Sequence, residues 1–173
     1  EKAISLADTS AHLHFLRGFF AMSKNDTSTA KKYFQNALLR QNKDPEVPYQ
    51  LAQIAIQGGN YSQAAQWVED AYKMDSLTAQ YVFAKGFIAQ NTQNLPEAIR
   101  FYTRSIALDS SFAKAYTQLH DLYLIDKKEE KEALKWNDLL LKKSPEHPLA
   151  KFNQARSLYR QAETAKGEER KKK

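Results

Sequence analysis

The sequence predicts an all-α fold of repeated antiparallel helix pairs, on three observations. The first is a ruler of 34 residues: Gly86, Ala98, Tyr102 and Ser105 step back onto Ala52, Ala64, Val68 and Ala71, then onto Gly18, Ala30, Phe34 and Ala37. A fixed period of roughly 20 to 50 residues marks a stack of like units that share one core. The second is the residue types on that ruler. Two helices approach closely only where a side chain is nearly absent, so Gly18, Ala52 and Gly86 mark the contact from the first helix of each pair. Ala30, Ala64 and Ala98 mark it from the second, with Phe34, Val68 and Tyr102 filling the space beside them. The third is composition: five Gly and five Pro in 173 residues, with 42% hydrophobic residues, suit a packed helical chain, and no strand-like alternation persists.

Taken in order, residues 1–10 read as the tail of the second helix of a preceding repeat, because Ala3 lies 34 residues before Ala37. That is expected of a segment cut from a longer protein. The first repeat spans 11–44, with helices near 11–24 and 28–42 and a turn at Lys24-Asn25-Asp26; Thr27 or Ser28 is expected to cap its second helix. The second repeat spans 45–78. Its Pro48 belongs in an opening helical turn, where a missing N–H costs little, and Gly58-Gly59-Asn60 is a sharp turn signal. The third repeat spans 79–112, with Pro96 opening its second helix. The fourth, 113–147, breaks the ruler by one residue, since Ala133 lies 35 beyond Ala98. The extra residue is expected in the turn DKKEEKE, where an insertion is cheapest. His120 stands where the other repeats have a small residue, which predicts a wider helix pair. A last helix over 148–165 is expected to cover the end of the stack, followed by a charged tail, 166–173.

Composition excludes several classes of chemistry. There is no cysteine, so disulfides, thiolate metal sites and cysteine nucleophiles are excluded. No run of 18 apolar residues occurs, so no transmembrane segment is expected. The net charge is +6, with the basic excess towards the C-terminus, a balance that suits solubility. His12 and His14 are two apart on a helix and point in different directions, and neither His120 nor His147 has a histidine four residues on. Glu129, Glu130 and Glu132 alternate with lysines as a solvated turn does. No phosphate-binding glycine loop, nucleophile elbow or paired-histidine zinc motif is present. The reading is a non-catalytic chain with no cofactor and no metal.

The informative chemistry lies on another face of the first helices, where positions i, i+4 and i+7 share a side. That face reads Phe15, Phe19, Met22, then Tyr49, Gln53, Ile56, then Phe83, Phe87, Gln90, then Thr117, Asp121, Leu124, and Phe152, Arg156, Tyr159 on the last helix. Gln50, Gln80 and Gln118 lie beside it. Aromatic rings give contact area at low entropic cost, and amides satisfy a ligand backbone. Phe15, Phe19, Tyr49, Gln50, Gln53, Phe83, Phe87, Gln90, Gln118 and Asp121 are therefore the expected partner-binding residues. A second column, Tyr33, Trp67, Phe101 and Trp136 on the second helices, is expected to pack between repeats.

The 34-residue period and its small-residue, Ala and aromatic pattern resemble the tetratricopeptide repeat. The resemblance implies a right-handed α–α superhelix in which the aromatic face lines a concave groove, and a protein-protein interaction scaffold that binds a peptide or partner helix. Self-association is compatible with such a groove. Members that grip the terminal carboxylate of heat-shock proteins do so with Lys, Asn and Arg. Here the matching places hold Phe15, Phe19, Gln50, Gln80 and Ala84, and a start one repeat later gives Tyr49, Gln53, Ala84, Lys114 and Gln118, so that clamp is absent. Arg17-Gly18-Phe19 and Lys85-Gly86-Phe87 resemble a variety common among bacterial members, including cell-envelope lipoproteins, which implies the periplasm or cell envelope. The related helical repeats that read nucleic acid line their groove with cations and base-reading groups. This row is aromatic, so no nucleic-acid partner is expected.

Overall fold

The computed structural model describes the backbone of residues 2–171 and the side-chain surroundings of residues 10–159 and of Ala162. Among these residues the chain forms α1 (Lys2–Ser23), α2 (Thr27–Leu39), α3 (Glu46–Gln57), α4 (Tyr61–Met74), α5 (Ala79–Asn91), α6 (Leu95–Leu108), α7 (Ala113–Asp121), a π-helical segment (Leu122–Asp126), α8 (Glu130–Lys143) and α9 (Pro148–Lys171), with no strand among the described residues. The chain divides into two compact units, Glu1–Phe101 and Tyr102–Lys173.

In the first unit α1 packs on α2, α2 on α3, α3 on α4 and α4 on α5. The small-residue contact is where the ruler put it. A Cβ added at Gly18 would lie 2.5 Å from the Phe34 ring, and Phe34, Ala30, Ala52, Ala64 and Val68 are fully buried. One cluster joins Phe34 and Ala37 of α2 to Val47 and Leu51 of α3. Another joins Ala64, Val68 and Ala71 of α4 to Tyr49, Ala52, Tyr81 and Ile88 of α3 and α5. Trp67 packs against both clusters, the bridging position expected of its column.

The turns inside the pairs follow one design. Asn25 (φ 58°), Gly59 (φ 70°), Gln93 (φ 63°) and Lys128 (φ 57°) take the left-handed conformation that ends a helix. After the first three of these, the next residue caps the following helix: the Thr29, Gln63 and Glu97 amides donate to Asp26, Asn60 and Asn94 side chains at 3.0, 3.1 and 3.4 Å; Glu129, after Lys128, makes no such side-chain bond. Asp26, not Thr27 or Ser28, is therefore the cap of α2. The left-handed Asn25 brings the chain into position one residue earlier than expected, and a carboxylate is a strong acceptor for the helix's free amides.

Three further features depart from the reading of the sequence. The helix α1 runs unbroken through residues 10 and 11, where a turn from a preceding repeat was expected; no Gly or Pro interrupts the chain between Lys2 and Arg17. The extra residue of the fourth repeat sits in the π-helical segment and not in the DKKEEKE turn. There the Lys127 amide reaches back five residues to the Leu122 carbonyl at 3.1 Å, and Glu129 six residues to Tyr123 at 2.7 Å. A single wide turn absorbs one residue without disturbing the left-handed Lys128 that follows. Finally, α9 continues to Lys171, because the Glu, Arg and Lys after Gly167 favour helix.

In the second unit α7 packs on α8 and α8 on α9. Tyr116, Leu140 and Ala150 form its apolar cluster with Trp136 and Ile106. Beside them lies a polar interior of His120, Asn137, Asn153 and Ser157, each more than nine-tenths buried. The Asn137 amide donates to the Ala150 carbonyl at 3.0 Å, tying α8 to α9. His120 Nδ1 lies 2.9 Å from Asp121 Oδ1 and 3.4 Å from Asn153 Nδ2, so it donates to the first or accepts from the second according to where its proton sits.

Candidate partner-binding surface

On α1, Phe15 is half-buried and Phe19 is 36% exposed. Their rings meet edge to face with centroids 4.8 Å apart, and Phe19 meets the buried Phe34 in the same manner at 5.5 Å. Offset edge contacts of this kind hold the rings in fixed orientation, so the open side of Phe19 is a rigid apolar platform. One period and two periods on, Gln53 of α3 and Phe87 of α5 occupy the same place and are half-buried. Phe83 and Gln90 flank Phe87 on α5, also half-buried.

Tyr49 departs from the expected row. It is 4% exposed, its ring centroid is 4.9 Å from that of Tyr81, and it belongs to the core between α3, α4 and α5. Burial, together with the nearby Glu46 charge, pushes its hydroxyl up to about 12, against the opposing hydrogen bond from Gln80. Tyr49 therefore lends no open surface. Gln50 also points to a partner of its own, since its amide donates to Glu46 Oε1 at 2.6 Å while the Tyr81 hydroxyl donates to Glu46 Oε2 at 3.1 Å. Glu46 and Tyr81 are members of this polar cluster that the sequence reading passed over. Charge on a half-buried helix N-terminal residue, 35 positions from a tyrosine, is a signal only when the fold brings them together.

In the second unit, Gln118 and Asp121 of α7 are half-buried. The Asp121 carboxylate faces His120, so it is occupied by its own neighbour.

The second-helix side holds a further feature that was not foreseen. Lys32, Gln35, Asn36, Leu38 and Leu39 of α2 and Trp67 of α4 line an open cleft of about 580 Å³, with Leu39 79% exposed on it. The equivalent position one period on is closed by an ion pair. Lys85 Nζ meets Glu69 Oε2 at 2.6 Å and lies over the Tyr72 and Phe101 rings at 4.3 and 5.0 Å. Among the described residues no group of three or more His, Asp or Glu could hold a metal ion, and no helix is long and apolar enough to cross a membrane.

Residues 21–81, from the end of α1 to the start of α5, match the family model for the tetratricopeptide repeat. Among solved structures, MamA is 18% identical over 84% of this chain and 85% of its own, with a TM-score of 0.72. The fold is the tetratricopeptide-repeat fold. The same fold is seen in YrrB, described as a tetratricopeptide protein with an unusual peptide-binding site, at 21% identity over 89% of this chain and 79% of its own, TM-score 0.72. The first tetratricopeptide domain of Spaghetti, solved with the HSP90 peptide SRMEEVD, gives 15% identity over 69% of this chain and 95% of its own, TM-score 0.65. No curated protein matches the chain. In tetratricopeptide terms α1, α3, α5 and α7 are first helices and α2, α4, α6 and α8 are second helices.

Proposed function

We propose that the chain is a non-catalytic interaction scaffold whose first-helix face holds a polypeptide segment of a partner protein. The observation that carries this is the Phe19 platform: a large ring fixed against Phe15 and Phe34 yet open to solvent, at the head of a column that continues through the half-buried Gln53 and Phe87 at successive periods. A preset aromatic loses little freedom when it is covered, and the interleaved amides can bond a ligand backbone. Structures of this fold that hold peptides, YrrB and the Spaghetti domain, lend support by analogy. The ligand differs in kind from the acidic SRMEEVD tail, because Phe15, Phe19, Gln50, Gln80 and Ala84 offer no cation to a carboxylate. The same lack of cations on Phe15, Phe19, Gln53, Phe83, Phe87 and Gln90 favours a polypeptide over nucleic acid, whose affinity rests on phosphate neutralisation.

The test is affinity capture from the source cell with the wild-type chain beside a Phe19→Ala/Phe87→Ala variant of unchanged helical content. The reading expects the variant to lose the captured polypeptides. Equal capture by both would remove the first-helix face from consideration.

A further inference from the structure

Charge is scarce on the first helices of the first unit. From Ser10 on, with histidine taken as neutral, α1 carries Arg17, α3 carries Glu46 and α5 carries Lys85 as their formal charges. Two of the three stand off the partner-binding stripe. Lys85 pairs with Glu69 of α4, and Arg17 and Lys85 each lie two residues before a ring of the row, Phe19 and Phe87, so they do not share its side. Glu46 does share it. Glu46, Gln50 and Gln53 fall at i, i+4 and i+7, and Gln53 is the member of the row on α3. Glu46 is therefore the one formal charge on that stripe among the described residues of the first unit.

Its carboxylate is held in place without being neutralised. Glu46 is half-buried; its Oε1 accepts from the Gln50 amide at 2.6 Å and its Oε2 from the Tyr81 hydroxyl at 3.1 Å. Both donors are neutral, and among the described residues no ion pair includes Glu46. Each oxygen takes one hydrogen bond and has room for another. A carboxylate already fixed by two donors gains a charge-assisted bond from an incoming cation at little further ordering cost.

We infer that the polypeptide held on the first-helix face presents a lysine or arginine side chain to Glu46. The inference rests on the reading of that face as the partner-binding surface, and adds the sign and the place of the ligand's charge. Glu46 precedes Gln53 by seven residues, roughly 10 Å along α3, a span that an extended ligand crosses in roughly three residues. The ligand therefore carries its cation about three residues from an apolar side chain that covers the row of Phe19, Gln53 and Phe87.

The probe is a library of N-acetylated decapeptides, in which a cation comes from a side chain and not from a terminal amine, selected on the full wild-type chain. Peptides that the Phe19→Ala/Phe87→Ala variant fails to hold define the ligands of the face. These are expected to share a lysine or arginine at one place, and selection on Glu46→Lys should put aspartate or glutamate there. In fluorescence anisotropy, Glu46→Gln in the chain, or glutamine for the cation in the peptide, should each weaken binding by about tenfold, and both together by little more than either alone. Glu46→Gln keeps an acceptor for Gln50 or Tyr81, and the peptide exchange leaves the chain untouched, so a loss of fold is not mistaken for a loss of pairing. Ligands that depend on Phe19 and Phe87 yet share no cation, or that Glu46→Gln holds as tightly as wild type, would overturn the inference and leave the face as the partner surface. A library with no peptide dependent on Phe19 and Phe87 would remove both.

Discussion

Gly18 and His120 occupy the same place on the repeat ruler, three periods apart, and the two units treat that place in opposite ways. At Gly18 the partner is the fully buried Phe34 ring, so close that even a methyl group would lie 2.5 Å from it. At His120 an imidazole is 3% exposed and faces Asp121 and Asn153. One position is held by absence of volume, the other by satisfied polarity. The repeat thus specifies where a first helix meets its neighbour, while the chemistry that fills the spot is free to change provided volume and hydrogen bonds are both accounted for.

Substitutions sharpen that contrast. Gly18→Leu forces a side chain into Phe34 and is expected to destabilise by about 3 kcal/mol, the upper end of overpacking; Gly18→Ala should fall lower because the methyl also improves helix propensity. Reducing size at the other position should also hurt. His120→Ala removes a ring from a closed polar interior and is expected to cost about 2 kcal/mol, from lost packing and from Asn153 losing a partner. Asn137→Leu keeps the branched outline but deprives the Ala150 carbonyl of the Asn137 bond, at about 1 to 2 kcal/mol. The contrast fails if urea titrations show His120→Ala to be neutral or Gly18→Leu to be tolerated. The smallest effect is expected at the exposed side of the first unit: Glu69→Gln leaves Lys85 without its carboxylate and should change stability by about 0.5 kcal/mol or less, because Glu69 is 42% exposed.

Alkaline pH reads the first unit's core directly. Tyr49 has its hydroxyl raised to about 12 by burial, and Tyr81 is raised by burial and by Glu46. The folded chain therefore keeps protons that the unfolded chain releases near pH 10. That contribution to stability is full below about pH 10 and is lost as pH rises towards 12. Tyr49→Phe should flatten part of this decline in chemical-denaturation curves recorded across that window.

Much of the fold was legible because the ruler marks places where physics allows few residues. The Gly18–Phe34 contact and the left-handed residues at 25, 59 and 93 fall on it. The packing of Gly18 against Phe34 also gives the Arg17-Gly18-Phe19 motif a structural reason. The π-helical segment was not legible, since one extra residue between Ala98 and Ala133 can be absorbed in a turn or in a helix with the same sequence spacing. The start of α1 was misread because no Gly or Pro stops the helix there, and the end of α9 because the helix formers after Gly167 outweigh that glycine. Tyr49 was misplaced for a different reason: α3 is buried on two sides, by α2 and by α4, and a helix with Val47, Pro48, Tyr49, Leu51, Ala52 and Ala55 all buried has no single apolar stripe to read. The α2–α4 cleft depends on how far apart two second helices stand, which no residue spacing states.

The central claim is that the first-helix face carries the partner, and site-specific photo-crosslinking tests it most directly. A benzoylphenylalanine placed at Phe19 or at Phe87 and irradiated in extract of the source cell should trap the same partner polypeptide, and one placed at the exposed Asp70 of α4 should not. Trapping from Asp70 with none from Phe19 or Phe87 would contradict the account.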